Sequence, residues 1–550
     1  MQADNVQFTD TEVLVIGGGL AAIKASRTCG AAGIKTVMAI KGRLCSGASF
    51  YPFTSRLGCL APRLDDPDDA CLFLEEISAA SQGMNDPELG RIYIEEIHDR
   101  IAELPDMGVE PHLMEMNRVA CFAERERALY YWEDWGGTRE RVRARLAALP
   151  SVTILEQWTA LELLQQNGRV CGAIFAGPDN QLLAVRAGAV ILATGGFGDL
   201  YKHNLNTADV GGDGHMLAYD AGASLGNLEF IQFIPGYMTP RYKVLFGEPT
   251  LRYCTAIRGT QGQDLLAGLL PDGLTAGQCF LERSRHGPFT TSDRSRYFDQ
   301  AIMGEILATG QEDGVRIFFN RRIIEDCQDG SSWYVNWLKE KMQIDLMQDR
   351  LSIAPFAHAS NGGIVITAEG WTGVPGLFAA GEVAGTMHGA DRIGGCATGN
   401  CLVFGRRAAL GAIDQVRQSD RPHIGEKTVR EQIAGWTAAA KADSLSPGDV
   451  LFRVKETLWK NASILRSETL LRQALQTIDL TDKQYDLALA LQRSPTADAF
   501  RAKNALRLAR LLVVVMLERK ESRGPHFRPD YPERDNTRFG MASRVNRKSI

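Results

Sequence analysis

Apolar and polar positions fall into recognisable units along the 550-residue chain. Residues 12–41, EVLVIGGGLAAIKASRTCGAAGIKTVMAIK, open with the short apolar run VLVI, which suits a strand buried on both faces. A glycine triplet follows, then Leu20 to Ala32, rich in alanine and free of proline, which predicts a helix. Gly33 stands where a helix C-terminal glycine belongs, and Thr36 to Ile40 predict a second strand. Strand, helix, strand with a right-handed crossover predicts a parallel sheet. Ala189 to Gly198 (AVILATGGFG) and Leu377 to His388 (LFAAGEVAGTMH) look like returns to that sheet.

Between these returns the composition shifts to Arg, Gly, Pro and aromatics, which predicts an inserted domain. Beyond residue 425, leucine-rich helical periodicity runs through Leu458 to Leu511, broken by Ser-Pro pairs at Ser446 and Ser494. The tail from Ser522 to Ile550 is polar and Arg-rich, and is expected to wrap the surface, with Arg523 and His526 in structural roles. The expected fold class is α/β: a Rossmann-like nucleotide-binding domain in two parts (1–235 and 352–425), an inserted α+β capping domain (236–351), and a C-terminal helical domain with the tail (426–550).

Composition narrows the function. With 45% hydrophobic and 23% charged residues the chain is ordinary globular protein, and a net charge of −5 without long like-charge runs gives no footprint for nucleic acid. The LLVVVML run from Leu511 to Leu517 is far shorter than a membrane span, and MQADNVQFTDTE lacks a secretory pattern. Eleven cysteines, none spaced CxxC, argue against a disulfide framework, a metal site or an iron–sulfur cluster in this chain, and fit a reducing, cytoplasmic compartment. Any membrane association would come through a partner. The 55 glycines exceed the usual share of about 7% and cluster, as they do where backbone approaches a ligand.

Gly17-Gly18-Gly19-Leu20-Ala21-Ala22 lies between a strand and a helix, the context that makes GxGxxA a dinucleotide signature. Gly17 permits the tight turn, Gly19 lets backbone approach a pyrophosphate, Ala22 allows close packing, and the helix N-terminus favours negative charge. The second strand should end on an acidic residue for the ribose, yet Ile40 holds that place, followed by Lys41. A second glycine loop, Thr194-Gly195-Gly196-Phe197-Gly198, favours FAD over NAD, as does Gly381-Glu382, whose carboxylate could meet a ribityl hydroxyl.

Together, VLVIGGGLAA, AVILATGGFG, GASLGNLEFIQF, PFAHASNGGI, GVPGLFAAGEVAG, HGADRIGG, LWKNASILRS and ESRGPHFRPDYPERD cover essentially the whole chain in order. The sequence resembles the flavoprotein subunits of succinate dehydrogenase and fumarate reductase, including the soluble fumarate reductases and L-aspartate oxidase. The resemblance implies hydride exchange between flavin N5 and a carbon beside a substrate carboxylate. It assigns Arg392 to carboxylate binding and His358 to the substrate. Glu382 and His388 are placed beside the flavin, with Lys41, Ser46, Gly47, Gly395 and Ala397 also expected around FAD.

Departures from the family pattern are informative. Ser46-Gly47-Ala48 stands where covalent-FAD members carry a histidine, so FAD is expected to be noncovalent. Ile234 replaces a substrate histidine and Cys254 a substrate threonine. The capping-domain arginine falls on Ser292 or Ser295, leaving Arg294 and Arg296 as its candidates. Losing two polar donors, each worth roughly 1.5–3 kcal/mol to a charged partner, argues against an unaltered dicarboxylate site, and a larger or less charged unsaturated acid is expected. Cys254, Cys396 and Cys401 read as buried thiols. Three alternatives stay open: amine oxidation of the aspartate-oxidase kind, adenylylsulfate-reductase-like chemistry, and a non-catalytic electron-transfer subunit. Electrons would pass to an iron–sulfur or other subunit, or to a diffusible acceptor.

Overall fold

A computed structural model describes residues 5–114, 118–326, 331–418, 424–437 and 441–547. Its central sheet has the strand order Val152–Glu156, Thr36–Ile40, Gln7–Ile16, Leu182–Leu192, Arg169–Ala176, Thr159–Gln166. The first four strands are parallel and the last two antiparallel. Leu377–Ala379 pairs in parallel with the C-terminal end of Leu182–Leu192, beyond the point where Arg169–Ala176 leaves it. The apolar runs VLVI and AVIL are wholly buried, as strands covered on both faces must be.

The helix Leu20–Ala31 begins at Gly19 without a side-chain cap and packs against the long helix Cys396–Gln418. It ends one residue before the expected Ala32, and Gly33 takes the left-handed conformation (φ +72°) that a helix C-terminal glycine relieves. The expected strands at Ala189 and Leu377 are respectively longer toward the N-terminus and shorter than the patterns suggest. The second stops at Ala379 because Ala380 and Gly381 turn the chain into a single 3₁₀ turn.

A second, antiparallel sheet has the order Val244–Leu245, Ile231–Thr239, Ser352–Ser360, Val315–Phe319, Cys254–Arg258. The strand Ile231–Thr239 runs across the expected junction at residues 235 and 236, and its partner Ser352–Ser360 carries the chain back. The helices Ala276–Arg283 and Arg296–Thr309 flank this sheet.

C-terminal helices Pro447–Asn461, Glu468–Gln484 and Thr496–Glu518 pack on one another. Ser446 begins the first of them rather than breaking it: its hydroxyl accepts from Asp449 N, with Pro447 in the first turn where its missing N–H costs nothing. From residue 529 on the described part of the tail lies on the surface as expected, while its start is buried and fixed by structural residues, Arg523 and His526 among them. Arg519, Glu521, Arg523, His526 and Arg528 are buried, not spread over the surface. Arg519 pairs with Glu229 at 2.5 Å and with Glu521 at 2.6 Å, and Arg523 binds both oxygens of Glu521 and the carbonyl of Gln82. Alternating charge inside the protein satisfies itself. Residues 548–550 lie outside the described residues.

Glu521→Gln keeps the shape and removes the shared anion, so the holoprotein is expected to lose about 3 kcal/mol, read as a lower urea midpoint; an equal midpoint would show that the pairs contribute nothing net. His215 is buried edge-on to Phe197 at 5.3 Å, and neither ring nitrogen has a partner. Burial lowers its pKa from 6.5 to about 4. The unfolded chain therefore binds more protons between those values, so this stability is whole above pH 6.5 and is lost as pH falls toward 4. His215→Phe is expected to flatten the acid limb of stability by on the order of 3 kcal/mol, measured by denaturation at pH 7 and pH 4; an unaltered slope would refute the assignment.

Candidate functional site

The glycine turn after the first strand is fixed by contact. Gly17 lies at φ +142°, and a Cβ there would sit 2.1 Å from the carbonyl oxygen of Ala193. Only glycine lets the ends of the two parallel strands meet this closely. Ala22 packs behind it, 3.4 Å from that same notional Cβ. In front lies a cavity lined by Gly17, Gly18 and Gly19, by Ile40, Lys41 and Gly47, and by Thr194 and Gly195, with Asp209, Asp213 and Glu382 supplying carboxylates.

The residues fit FAD. The uncapped start of the Leu20–Ala31 helix leaves N–H groups for a pyrophosphate. Thr194 Oγ1 is buried without a partner. Ile40 lines the cavity where an acidic residue is usual, but Lys41 Nζ holds Asp213 Oδ2 at 2.8 Å, placing a carboxylate from another helix at the same wall. The signal for Asp213 is the cluster Gly211-Gly212-Asp213-Gly214, which the dinucleotide pattern does not include. Ser46 does not line the cavity; its hydroxyl accepts from Arg43 N and donates to Asp209 at 3.3 Å, shaping the loop that does. Gly196 and Gly381 are spacers: a Cβ on the first would meet Glu382 Oε1 at 2.4 Å, and on the second Ala21 Cβ at 2.8 Å.

A second cavity of about 370 Å³ adjoins the first through Ala48, Ser49, Glu382 and Cys401. It brings together His358, Arg392, Gly395 and Ala397. Arg392 is buried; its Nη2 donates to Gln232 Oε1 at 3.1 Å and its Nη1 to the carbonyl of Ile393 at 3.4 Å, while Nε finds no partner. It makes no ion pair among the described residues. Asp391, its neighbour in sequence, turns away to Gln82 and Thr290, at 2.9 and 2.7 Å, and burial raises its pKa to about 7.

His358 leaves Nδ1 unpartnered, and burial together with the Arg392 charge lowers its pKa to about 3, so the ring is neutral at working pH. Burial pushes the Glu382 carboxyl up, against the bonds its Oε1 accepts from Ser360 N and Oγ. His388 lines neither cavity; it is buried nearby, held well below its ordinary pKa by burial and then by Arg392.

Arg294 and Arg296 do not reach this cavity. His286 Nε2 meets Asp293 Oδ2 at 3.0 Å and Asp293 accepts from Ser295 N at 2.8 Å, a turn that sends Arg294 outward to Glu282. Arg296 donates to the Thr291 carbonyl at 3.4 Å and lies over the Tyr297 ring. Ile234 does line the cavity, with Leu205 and Leu245 adding apolar surface. Cys254 does not, its thiol facing Ala256 O within the sheet. Cys401 lines both cavities, and burial pushes its thiol up to about 12. Cys121, Glu248, Asn206 and Arg56 also line the second cavity and carry no sequence motif.

Comparison with known proteins agrees with this geometry. The family model for the FAD binding domain matches residues 12–248 and 320–398, and that for the fumarate reductase flavoprotein C-terminus matches residues 452–549. A fumarate reductase (CoM/CoB) subunit from Methanothermobacter marburgensis is 29% identical, over 96% of this chain and 95% of that protein. L-aspartate oxidase of Streptomyces coelicolor is 27% identical, over 96% and 90%. Among solved structures, Mycobacterium smegmatis Sdh1 in complex with UQ1 superposes with a TM-score of 0.81 at 24% identity, covering 96% of this chain and 90% of that one, a likeness of fold. The glycine turns, the paired cavities and these matches together make the chain an FAD-dependent oxidoreductase that belongs to the fumarate reductase and succinate dehydrogenase flavoprotein family.

Proposed function

We propose that the protein adds or removes hydrogen across a C–C bond beside the carboxylate of an unsaturated monocarboxylic acid larger than fumarate. The carrying observation is Arg392: a buried guanidinium, without an ion pair among the described residues, in the cavity next to the FAD site. Leaving a buried charge uncompensated costs several kcal/mol, and an anionic ligand offsets that cost. A second substrate carboxylate has no equivalent. Arg56, the other guanidinium in the lining, is occupied by Glu133 at 2.8 Å, and Glu248 and Glu382 add negative rather than positive groups. Ile234, Leu205 and Leu245 favour an apolar substituent, as on an aryl acrylate.

FAD, when bound, supplies two-electron chemistry. Gly17 to Gly19 and the helix behind them receive its phosphates, and Glu382 lies where the two cavities join. Arg392 orients the acid, and the neutral His358 contributes a hydrogen bond without a second charge. The loop at Ser46 to Ser49 carries no histidine, which supports noncovalent FAD. No helix among the described residues is long and apolar enough to cross a membrane. The Methanothermobacter relative belongs to a multi-subunit enzyme by its name, which supports a separate electron-transfer partner, with an iron–sulfur protein as the proposed kind.

Arg392→Ala is expected to weaken cinnamate binding about 100-fold, roughly 3 kcal/mol, in a titration of the flavin spectrum, with FAD still bound; unchanged affinity would remove the proposed anchor. Precipitation of the holoprotein in cold acid is expected to leave the yellow colour in the supernatant, and colour that stays with the pellet would overturn noncovalent attachment.

A further inference from the structure

With Arg294 turned outward and Arg296 outside the lining, the acid-reducing cavity needs another proton source. Its lining offers few. Tyr51 donates to the carbonyl of Lys243 at 2.7 Å. Glu382 faces Ser360, and Arg392 is the anchor. Cys121 differs. Its thiol donates to Glu248 Oε1 at 3.4 Å and accepts from Gly287 N at 3.3 Å, and all three residues line the cavity with Arg392.

The loop is held from both sides. Gly394 N donates to the Cys121 carbonyl at 2.9 Å, fixing it beside the segment that carries Arg392. Phe122, in the left-handed region at φ 62°, stacks on the buried His286 at 5.0 Å. His286 belongs to the turn whose next residue, Gly287, donates to the thiol. Cys121 is thus clamped between the lid and the anchor. Glu248 is partly exposed.

We propose that Cys121 is the catalytic acid that protonates the substrate carbon, with Glu248 relaying the replacement proton from solvent. This rests on the function proposed above. With FAD bound to supply a hydride to the carbon β to the carboxylate, the π pair of the C=C bond would form a new C–H bond at the α carbon with the thiol proton. The S–H electron pair remains on sulfur. The thiolate, stabilised by Gly287 N–H and the nearby Arg392 charge, then takes a proton from Glu248, which is replenished from water. Oxidation reverses each transfer. A thiol suits the task because it gives up its proton far more readily than a guanidinium.

The holoprotein, its Cys121→Ala variant and its Cys121→Ser variant are compared with cinnamate as the probe and reduced methyl viologen as electron donor. Both variants are expected to bind cinnamate within about threefold of wild type by flavin spectral titration, and to lose at least about 100-fold in cinnamate reduction. Serine keeps the size while lacking an acidic proton, so its loss separates chemistry from packing. In the unsubstituted holoprotein, saturating cinnamate is expected to slow iodoacetamide alkylation of Cys121, followed by peptide mass. Turnover within threefold of wild type in either variant, or alkylation indifferent to cinnamate, would overturn the thiol's role while leaving the substrate reading intact. Failure of cinnamate to perturb the unsubstituted flavin would instead bring down the substrate reading, and this inference with it.

Discussion

The closeness of Gly17 to Ala193 is the constraint on which the site depends. Parallel strands aligned Ile16 to Leu192 end side by side, and the first must turn into a helix without a side chain intruding on its neighbour. That contact sets the helix N-terminus in front of the sheet and aligns Thr194 and Gly195 beside it. The Leu377–Ala379 strand, joined to the same edge, then delivers Glu382 to the boundary between the two cavities. Replacing Gly17 with any residue that carries a Cβ would pry the strand ends apart.

Charge inside this protein is arranged in two contrasting ways. Around the tail, Glu229, Arg519, Glu521 and Arg523 satisfy one another completely enough to be buried. At the cavity, Arg392 is supported among the described residues by neutral oxygens, and Gln232 Nε2 and His358 Nδ1 are unpartnered among those residues. The first arrangement rigidifies; the second keeps a cation desolvated and available. It is this uncompensated guanidinium that supports the proposed binding of an acid.

Legibility in the sequence followed locality. VLVI, the glycine triplet and Gly33 each act within a few residues, so strand, turn and helix are evident in the order in which they occur along the chain. Arg392, His358 and Glu382 are singled out by the family resemblance of the motifs that contain them, and the fold brings all three to the lining of one cavity. Arg294 was misplaced because its direction is set by Asp293 and His286, a tertiary contact that spacing cannot express. Cys121 and Glu248 are not legible in the sequence because they lie 127 residues apart on segments that carry no motif and meet only through the tertiary fold. The depth of burial at the start of the tail is hidden for a related reason: an Arg-rich segment suggests solvent until its carboxylates are located in space.

The two strands that carry the chain into and out of the lid sheet lie side by side, with Pro235 directly opposite Pro355. Their backbones face away from each other, the Pro235 carbonyl accepting from Phe246 N and the Pro355 carbonyl from Trp459 Nε1, so the missing N–H groups cost the ladder nothing. The covering module is therefore joined to the dinucleotide fold at one place, where its way in and its way out are hydrogen-bonded neighbours, and its two ends cannot shift independently.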